Sequence, residues 1–271
     1  MNINNEYKFE SGYLIEPESE FKGLTKQGIQ NLEDSDFSEF FAKAVTHFDT
    51  VIISDIHLGS KISRAQILVD FLDNVSFDRL IINGDVFDSI NMRRLNRYHW
   101  KVLSRLRLLT DSENHKEVIW IRGNHDGYSD LLSQLLGVKV LNEYTFFWND
   151  QRVIVMHGDI FDTFTSRYKW LSDIADYFYR FTIYIDPIKM RLGHWLKRNS
   201  KMFIRNTQIV RNRAVAYAKH KKADMIICGH THYAEDTIVD GVRYLNSGCW
   251  TDIPVHFIGF RGDQVQVLPY L

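Results

Sequence analysis

The sequence predicts an α/β fold of two packed sheets, and three observations carry that reading. Five short apolar runs each end at once in Asp, Asn or His; stretches with helical spacing separate the first three; and the C-terminal part holds strand pairs joined by Asp-Gly or Gly-Asp turns. A run that is apolar at every position suits a strand covered on both faces, which leaves the polar residues after it at the strand's carboxyl end. In layered α/β sheets that end is where ligands bind.

Residues 1–48 carry no recognisable chemistry and read as an N-terminal extension, within which residues 35–46 space Phe37, Phe40, Phe41 and Ala44 as a short amphipathic helix. The domain proper is expected over residues 49–271. Its first strand, 51–54, runs into Asp55-Ile56-His57; the second, 80–83, into Gly84-Asp85-Val86-Phe87-Asp88; the third, 118–121, into Arg122-Gly123-Asn124-His125-Asp126. Residues 64–74 and 93–110 are the intervening helices of a β-α-β-α-β unit, and 129–136 reads as a shorter helix. Strands 144–148 and 152–156 flank Asn149-Asp150 as a hairpin, and the second of them continues into His157-Gly158-Asp159. Strand 225–228 runs into Gly229-His230-Thr231-His232. Asp240-Gly241 and Gly262-Asp263 then turn between 234–239 and 242–246, and between 255–260 and 264–268.

Length and composition bound the function. A chain of 271 residues, 45% apolar, can bury a full core. No stretch approaches the roughly 18 consecutive apolar residues of a membrane span, and residues 1–10 lack the basic-then-apolar order of a secretory signal, so a cytoplasmic location is expected. Two cysteines make no disulfide framework, and Cys228, inside an apolar run, reads as a buried thiol. The net charge of -1 conceals a segregation: residues 163–222 hold fourteen Lys or Arg against three Asp, a balance of +11, whereas residues 1–50 hold ten acids against four Lys. Such a basic block suits either an anionic partner or a solvated helical face.

Seven residues converge at the strand ends: Asp55, His57, Asp85, Asn124, His157, His230 and His232. They offer carboxylate, amide and imidazole donors but no thiolate, a set that suits Mn²⁺, Fe or Zn²⁺. Seven donors exceed the needs of one tetrahedral ion and suit two divalent ions about 4 Å apart with one bridging carboxylate. Two such ions with two carboxylates keep a local charge near +2, which is a site for an anion, and phosphate esters are the obvious class. The ions can hold a phosphoryl group by two oxygens and bring the pKa of a bridging water toward about 7. An imidazole outside the metal shell could protonate the leaving oxygen; His125 is the candidate, with Asp126 expected to orient it. Asp88 and Asp159 are expected to accept hydrogen bonds from ligand histidines or to fix the strand-end loops. A non-catalytic scaffold would need no such set of seven.

The ordered motifs resemble the calcineurin-like metallophosphoesterase family, whose pattern is D-x-H, G-D-x-x-D, G-N-H-D or G-N-H-E, a later H, and G-H-x-H. The resemblance covers residues 51 to about 260. It implies a two-sheet α/β sandwich, Asp55, His57 and His232 on one ion, Asn124, His157 and His230 on the other, Asp85 bridging, and His125 as the catalytic imidazole. Ser54-Asp55-Ile56-His57-Leu58-Gly59, Asn83-Gly84-Asp85-Val86-Phe87-Asp88 and His157-Gly158-Asp159 look like the branch that contains UDP-2,3-diacylglucosamine hydrolases. Those enzymes cleave the pyrophosphate of a lipid-bearing nucleotide sugar, usually with Mn²⁺, at the inner membrane surface in lipid A synthesis. They carry a helical insertion between the last two motifs, and a basic cap over about 163–222 is expected here. The chain departs from the best-known members of that branch in having His125 where they have Arg, and in its long segment before the first strand.

The basic block interleaves its charge with aromatic residues, among them Phe164, Tyr168, Trp170, Trp195 and Phe203. A basic, aromatic, helical cap suits an amphipathic, lipid-linked phosphate at a membrane surface. It would also suit a nucleic-acid backbone with stacked bases, as in a phosphodiesterase or nuclease. Aromatic residues that only pack helices together are the plain alternative. Arg167 and Tyr168, soon after the His157 motif, are the expected substrate contacts.

Overall fold

The computed structural model describes residues 47–270 apart from 90, 112–115, 128 and 163–200. The 35–46 helix, Arg167, Tyr168 and most of the expected cap lie outside the described residues. Strands β1 (His47–Ile53), β2 (Ser76–Asn83), β3 (Glu117–Ile121) and β4 (Lys139–Leu141) run parallel and side by side. They are extended at the β1 edge by antiparallel β10 (Val255–Arg261) and β11 (Gln264–Tyr270). The second sheet orders β5 (Tyr144–Trp148), β6 (Gln151–Val155), β7 (Met225–Cys228), β9 (Val242–Asn246) and β8 (Glu235–Val239), with β6, β7 and β9 parallel at its centre. β4 is a strand that the sequence reading did not include. At three residues it is too short to show a period.

Both faces of each sheet are covered, as the continuous apolar runs require. Between the sheets, Ile52, Ile81, Ile119, Ile121 and Ile258 meet Val153, Val155, Met225, Ile227 and Leu245. Their chain neighbours point the other way: Val51, Ile53, Leu80 and Ile82 pack beneath the helices α1 (Ala65–Asn74), α2 (Arg97–Leu109) and α3 (Ser129–Leu136). α1 contributes Leu68 and Phe71 and α2 contributes Val102 and Leu106, each a pair at helical spacing. Full burial of such side chains contributes about 1.5–3 kcal/mol apiece. The outer face of the second sheet is covered by α4 (Lys201–His220), which buries Val210, Ala214 and Ala218 against Ile154, Ile226 and Tyr244. The layers therefore run helix, sheet, sheet, helix.

Two expectations shift. The helix expected over 93–110 starts at Arg97, because the Asn96 side chain accepts the backbone N–H groups of Tyr98 and His99 while the His99 ring returns a bond to the Asn96 backbone. Ahead of that cap, Met92–Arg94 is a separate 3₁₀ turn. The end of the basic block, expected as part of a cap, is the sheet-covering helix α4. Part of the charge here is matched within the domain: Arg211 pairs with Glu235 at 2.6 Å, Lys219 with Asp240 at 3.5 Å and, just past the helix, Lys221 with Glu143 at 3.6 Å. Among the described residues no helix is long and apolar enough to cross a membrane.

Candidate metal centre

Three motif loops leave the first sheet, after β1, β2 and β3, and two leave the second, after β6 and β7. They meet where the carboxyl ends of both sheets come together, and backbone bonds continue the pairing past the strands. Asp55 N–H donates to the Gly84 carbonyl at 3.1 Å, His57 N–H to Asp85 at 3.0 Å and Gly229 N–H to His157 at 3.0 Å. The loop after β9 closes the group, with Trp250 N–H donating to the Asp55 carbonyl at 3.1 Å.

The side chains form two adjoining clusters. In one, Asp55 Oδ1 lies 3.1 Å from His232 Nε2, which is 3.2 Å from His57 Nε2. In the other, His157 Nε2 lies 3.4 Å from Asp85 Oδ2, and His230 Nδ1 lies 3.0 Å from Asn124 Oδ1. Asp85 Oδ2 is also 3.9 Å from His57 Nε2, so one carboxylate oxygen faces both clusters. Asp55, His57 and His232 can each offer an atom to a common ion, and so can Asp85, His157 and His230; a further triplet of His57, Asp85 and His125 shares the same space. His157 Nδ1 donates to the Asn83 carbonyl at 2.8 Å, which turns Nε2 toward Asp85, where it makes no well-formed hydrogen bond although wholly buried. A buried ring nitrogen left without a well-formed partner beside a carboxylate is a place that a cation would fill, taking over from the proton.

Backbone conformation marks the same residues. Asp55, His57, Asp85, His230 and His232 have φ of 54°, 50°, 52°, 61° and 56°. A non-glycine residue held in the left-handed region costs on the order of 1–3 kcal/mol. Five in one site are kept there by surrounding bonds, one of them the backbone N–H of His230 to Asp55 Oδ2 at 3.0 Å. The fully buried Asn246 holds the last loop by donating to the Gly229 carbonyl at 2.7 Å and to Thr231 Oγ1 at 3.1 Å.

The electrostatics are those of facing opposite charges out of water. Burial pushes Asp55 up, but the His232 and His157 imidazoles outweigh it and hold the carboxyl at about 2. Asp85 is likewise held far below the carboxylate range, chiefly by His157 against the effect of burial. Burial works against a charged His157, yet the Asp85 and Asp55 carboxylates raise it to about 10. His57, lowered to about 4 by burial and the neighbouring His232, stays neutral. Cys228 is buried and its thiol is pushed up by burial, as expected of a core cysteine.

One expected role is corrected. Asp126 does not orient His125: its carboxylate accepts the backbone N–H groups of Asp85 at 2.8 Å, Gly123 at 3.0 Å and Val86 at 3.1 Å, and the indole of Trp120 at 3.2 Å. It is a buried clasp between two motif loops, and burial raises its pKa to about 6. Asp126→Asn keeps one acceptor and turns a donor toward other donors. It is expected to cost on the order of 1–3 kcal/mol in chemical denaturation, and unchanged stability would refute the clasp. His125 is instead positioned by the carbonyl of Asp88, 3.1 Å from Nδ1, and its ring meets His57 edge-on at 5.1 Å between centroids. Asp88 reaches Arg94 at 2.6 Å, with His57 Nδ1 more distant at 3.9 Å.

Asp159 lies in the loop that follows the fourth motif strand. It opens a 3₁₀ turn (Asp159–Phe161), and among the described residues its carboxylate bonds no site histidine. That contact belongs to Asp162, whose Oδ2 lies 3.0 Å from His230 Nε2. Asp162 was legible: Gly158-Asp159-Ile160-Phe161-Asp162 repeats the spacing of Gly84-Asp85-Val86-Phe87-Asp88.

Among curated proteins, no sequence matches the chain significantly. Solved structures similar to it include Yfce, a phosphoesterase from E. coli, at 18% identity and a TM-score of 0.46 over 81% of this chain and 91% of that one. A novel archaeal phosphodiesterase follows at 13% identity and 0.44, covering 82% and 99%. Wild-type Vps29 from Entamoeba histolytica, complexed with zinc, matches at 13% and 0.42, covering 82% and 91%. The family model described as calcineurin-like phosphoesterase matches residues 48–234, a span that holds all five motifs. The chain belongs to the calcineurin-like phosphoesterase family and is a hydrolase of phosphoester bonds.

Proposed function

We propose that this chain uses two divalent ions, most suitably Mn²⁺, to hydrolyse the pyrophosphate of a lipid-linked nucleotide sugar of the UDP-2,3-diacylglucosamine type, with release of UMP. Asp55, His57 and His232 would hold one ion and Asn124, His157 and His230 the other, with Asp85 placed to serve both. The observation that carries the two-ion reading is Asp85 Oδ2, which lies 3.9 Å from His57 Nε2 and 3.4 Å from His157 Nε2. The donor set fits: imidazoles, carboxylates and an amide without thiolate suit a borderline or hard divalent ion. When bound, the ions supply positive charge against the phosphoryl oxygens and a water acidic enough to attack. With Nδ1–H of His125 committed to the Asp88 carbonyl, a proton for the leaving oxygen would come from Nε2–H of the doubly protonated ring, which returns to the neutral form with its proton still on Nδ1.

The choice of substrate rests on the resemblance of the first, second and fourth motifs and on the setting of the site. Tyr233 follows His232 directly, its ring lies 6.3 Å from that of Phe203, and Tyr233 and Ile204 are both 43% exposed. Apolar groups beside the metal ligands favour an amphipathic phosphate over a purely polar one. The proposed location is cytoplasmic, at the inner face of a membrane, with residues 163–200, including Arg167 and Tyr168, contacting lipid and substrate. The test is UMP release from UDP-2,3-diacylglucosamine by metal-stripped protein with added Mn²⁺, Fe²⁺ or Zn²⁺. Release that depends on metal and is strongest with Mn²⁺ is expected. Cleavage of small phosphodiesters or single-stranded nucleic acid with no UMP from the lipid would overturn the substrate and favour a phosphodiesterase or nuclease.

A further inference from the structure

His230 is flanked by two acceptors. Asn124 Oδ1, assigned toward the ring, lies 3.0 Å from Nδ1, and Asp162 Oδ2 lies 3.0 Å from Nε2. A neutral imidazole has one N–H, so one nitrogen donates and the other turns a lone pair to its neighbour. If Nδ1 faces the amide oxygen with its lone pair, the two would repel unless a cation lay against both. The carboxylate at Nε2 is the stronger acceptor and takes the proton. This is the arrangement in which a carboxylate behind a ligand histidine fixes its tautomer and ring angle.

Asp162 is itself held. Its carboxylate is 4% exposed and accepts from Asn206 Nδ2, on α4, at 3.1 Å. The turn that carries it is braced from the same helix, with Arg213 Nη1 donating to the Phe161 carbonyl at 2.9 Å and the Phe161 and Tyr217 rings 5.7 Å apart. We propose that Asp162 is a positioning residue that presents His230 to one ion through Nδ1, and that Asn206 anchors Asp162, so α4 sets the affinity of that ion. The proposal rests on the reading of His230 as a ligand.

The test is titration of metal-stripped full-length protein with Mn²⁺, following heat and metal content. Wild type is expected to take two ions. Asp162→Asn should also take two at saturation, with the weaker dissociation constant raised 10–100-fold. Asn206→Ala should shift the same constant by a smaller factor, and the double variant should bind no more weakly than Asp162→Asn alone, because both changes act through one contact. An unchanged constant in Asp162→Asn overturns the proposal, and so does loss of one ion at saturation, which would make Asp162 a ligand itself. Should Asp162 variants fail to fold, Asn206→Ala decides alone, and an unshifted constant overturns the proposal. His230→Ala separates the two readings: if it still binds two ions at wild-type affinity, the ligand assignment has failed; if it loses one while Asp162→Asn is unaffected, only the role of Asp162 has.

Discussion

Asp85→Asn is expected to abolish the binding of at least one ion and to lower turnover on the order of 10²–10³-fold or more. The substitution keeps the size of the side chain and leaves an oxygen to accept the His125 backbone N–H, which Asp85 Oδ1 now accepts at 2.9 Å. It places an NH₂ donor where Oδ2 faces His57 Nε2 and His157 Nε2. One negative charge is lost where the proposed ions lie closest, and metal charge stabilisation is worth several kcal/mol at about 1.4 kcal/mol per tenfold in rate. The fold is expected to survive. Without Asp85 the largest force raising His157 is gone, so burial, which lowers it, is opposed only by Asp55 and the Asn83 carbonyl, to which Nδ1 keeps its bond. Circular dichroism, metal content and single-turnover rates together check this result. Two tightly held ions and a rate within a few-fold of wild type would exclude a bridging Asp85. His125→Ala provides the contrast, because it should keep both ions and lose only proton transfer, typically 10²–10⁴-fold.

The parts of this site that follow from strand periodicity are legible in the sequence. Apolar runs such as 51–54 and 225–228 could only be strands covered on both faces, and the residues after them had nowhere to go but the sheet ends. What the sequence could not show was which sheet each strand joins. β6 and β7 belong to the second sheet and β1, β2 and β3 to the first, so His157 and His230 approach the carboxylates from across the sandwich. Roles that depend on hydrogen-bond direction were also hidden. Asp126 adjoins His125 in the chain, yet burial with three backbone N–H groups and an indole claims its carboxylate. Asp162 is marked in the sequence only by its repeated Gly-Asp-x-Phe-Asp spacing; its partner lies 68 residues away and is brought there by the turn that α4 braces. Lysines and arginines at the end of the basic block look available for an anion by composition, but Glu143, Glu235 and Asp240 lie within reach of three of them only in the folded chain.

Gly84→Ala is expected to be among the most damaging small substitutions at the site, at about 2–5 kcal/mol of stability together with loss of metal binding. Two costs add. Gly84 has φ of +85°, where a side chain costs roughly 1–2 kcal/mol. An added Cβ would also stand 2.2 Å from His157 Nδ1 and 2.5 Å from its Cγ, and overpacking of this kind costs about 1–3 kcal/mol. The ring cannot simply swing aside, because it is wholly buried and Nδ1 is held by the carbonyl of Asn83, the residue just before Gly84. Displacing it moves Nε2 off the Asp85 carboxylate, so the steric clash becomes a fault in the metal centre. Gly241→Ala separates the terms, since Gly241 has nearly the same φ, +81°, with nothing within 4 Å of an added Cβ. It should show only the conformational cost, with metal content and turnover intact. In a domain of this size each kcal/mol moves the thermal midpoint by about 2–4 °C, so melting curves resolve the difference. Equal losses from the two substitutions would mean that the approach of the second-strand loop to His157 is not what requires glycine at position 84.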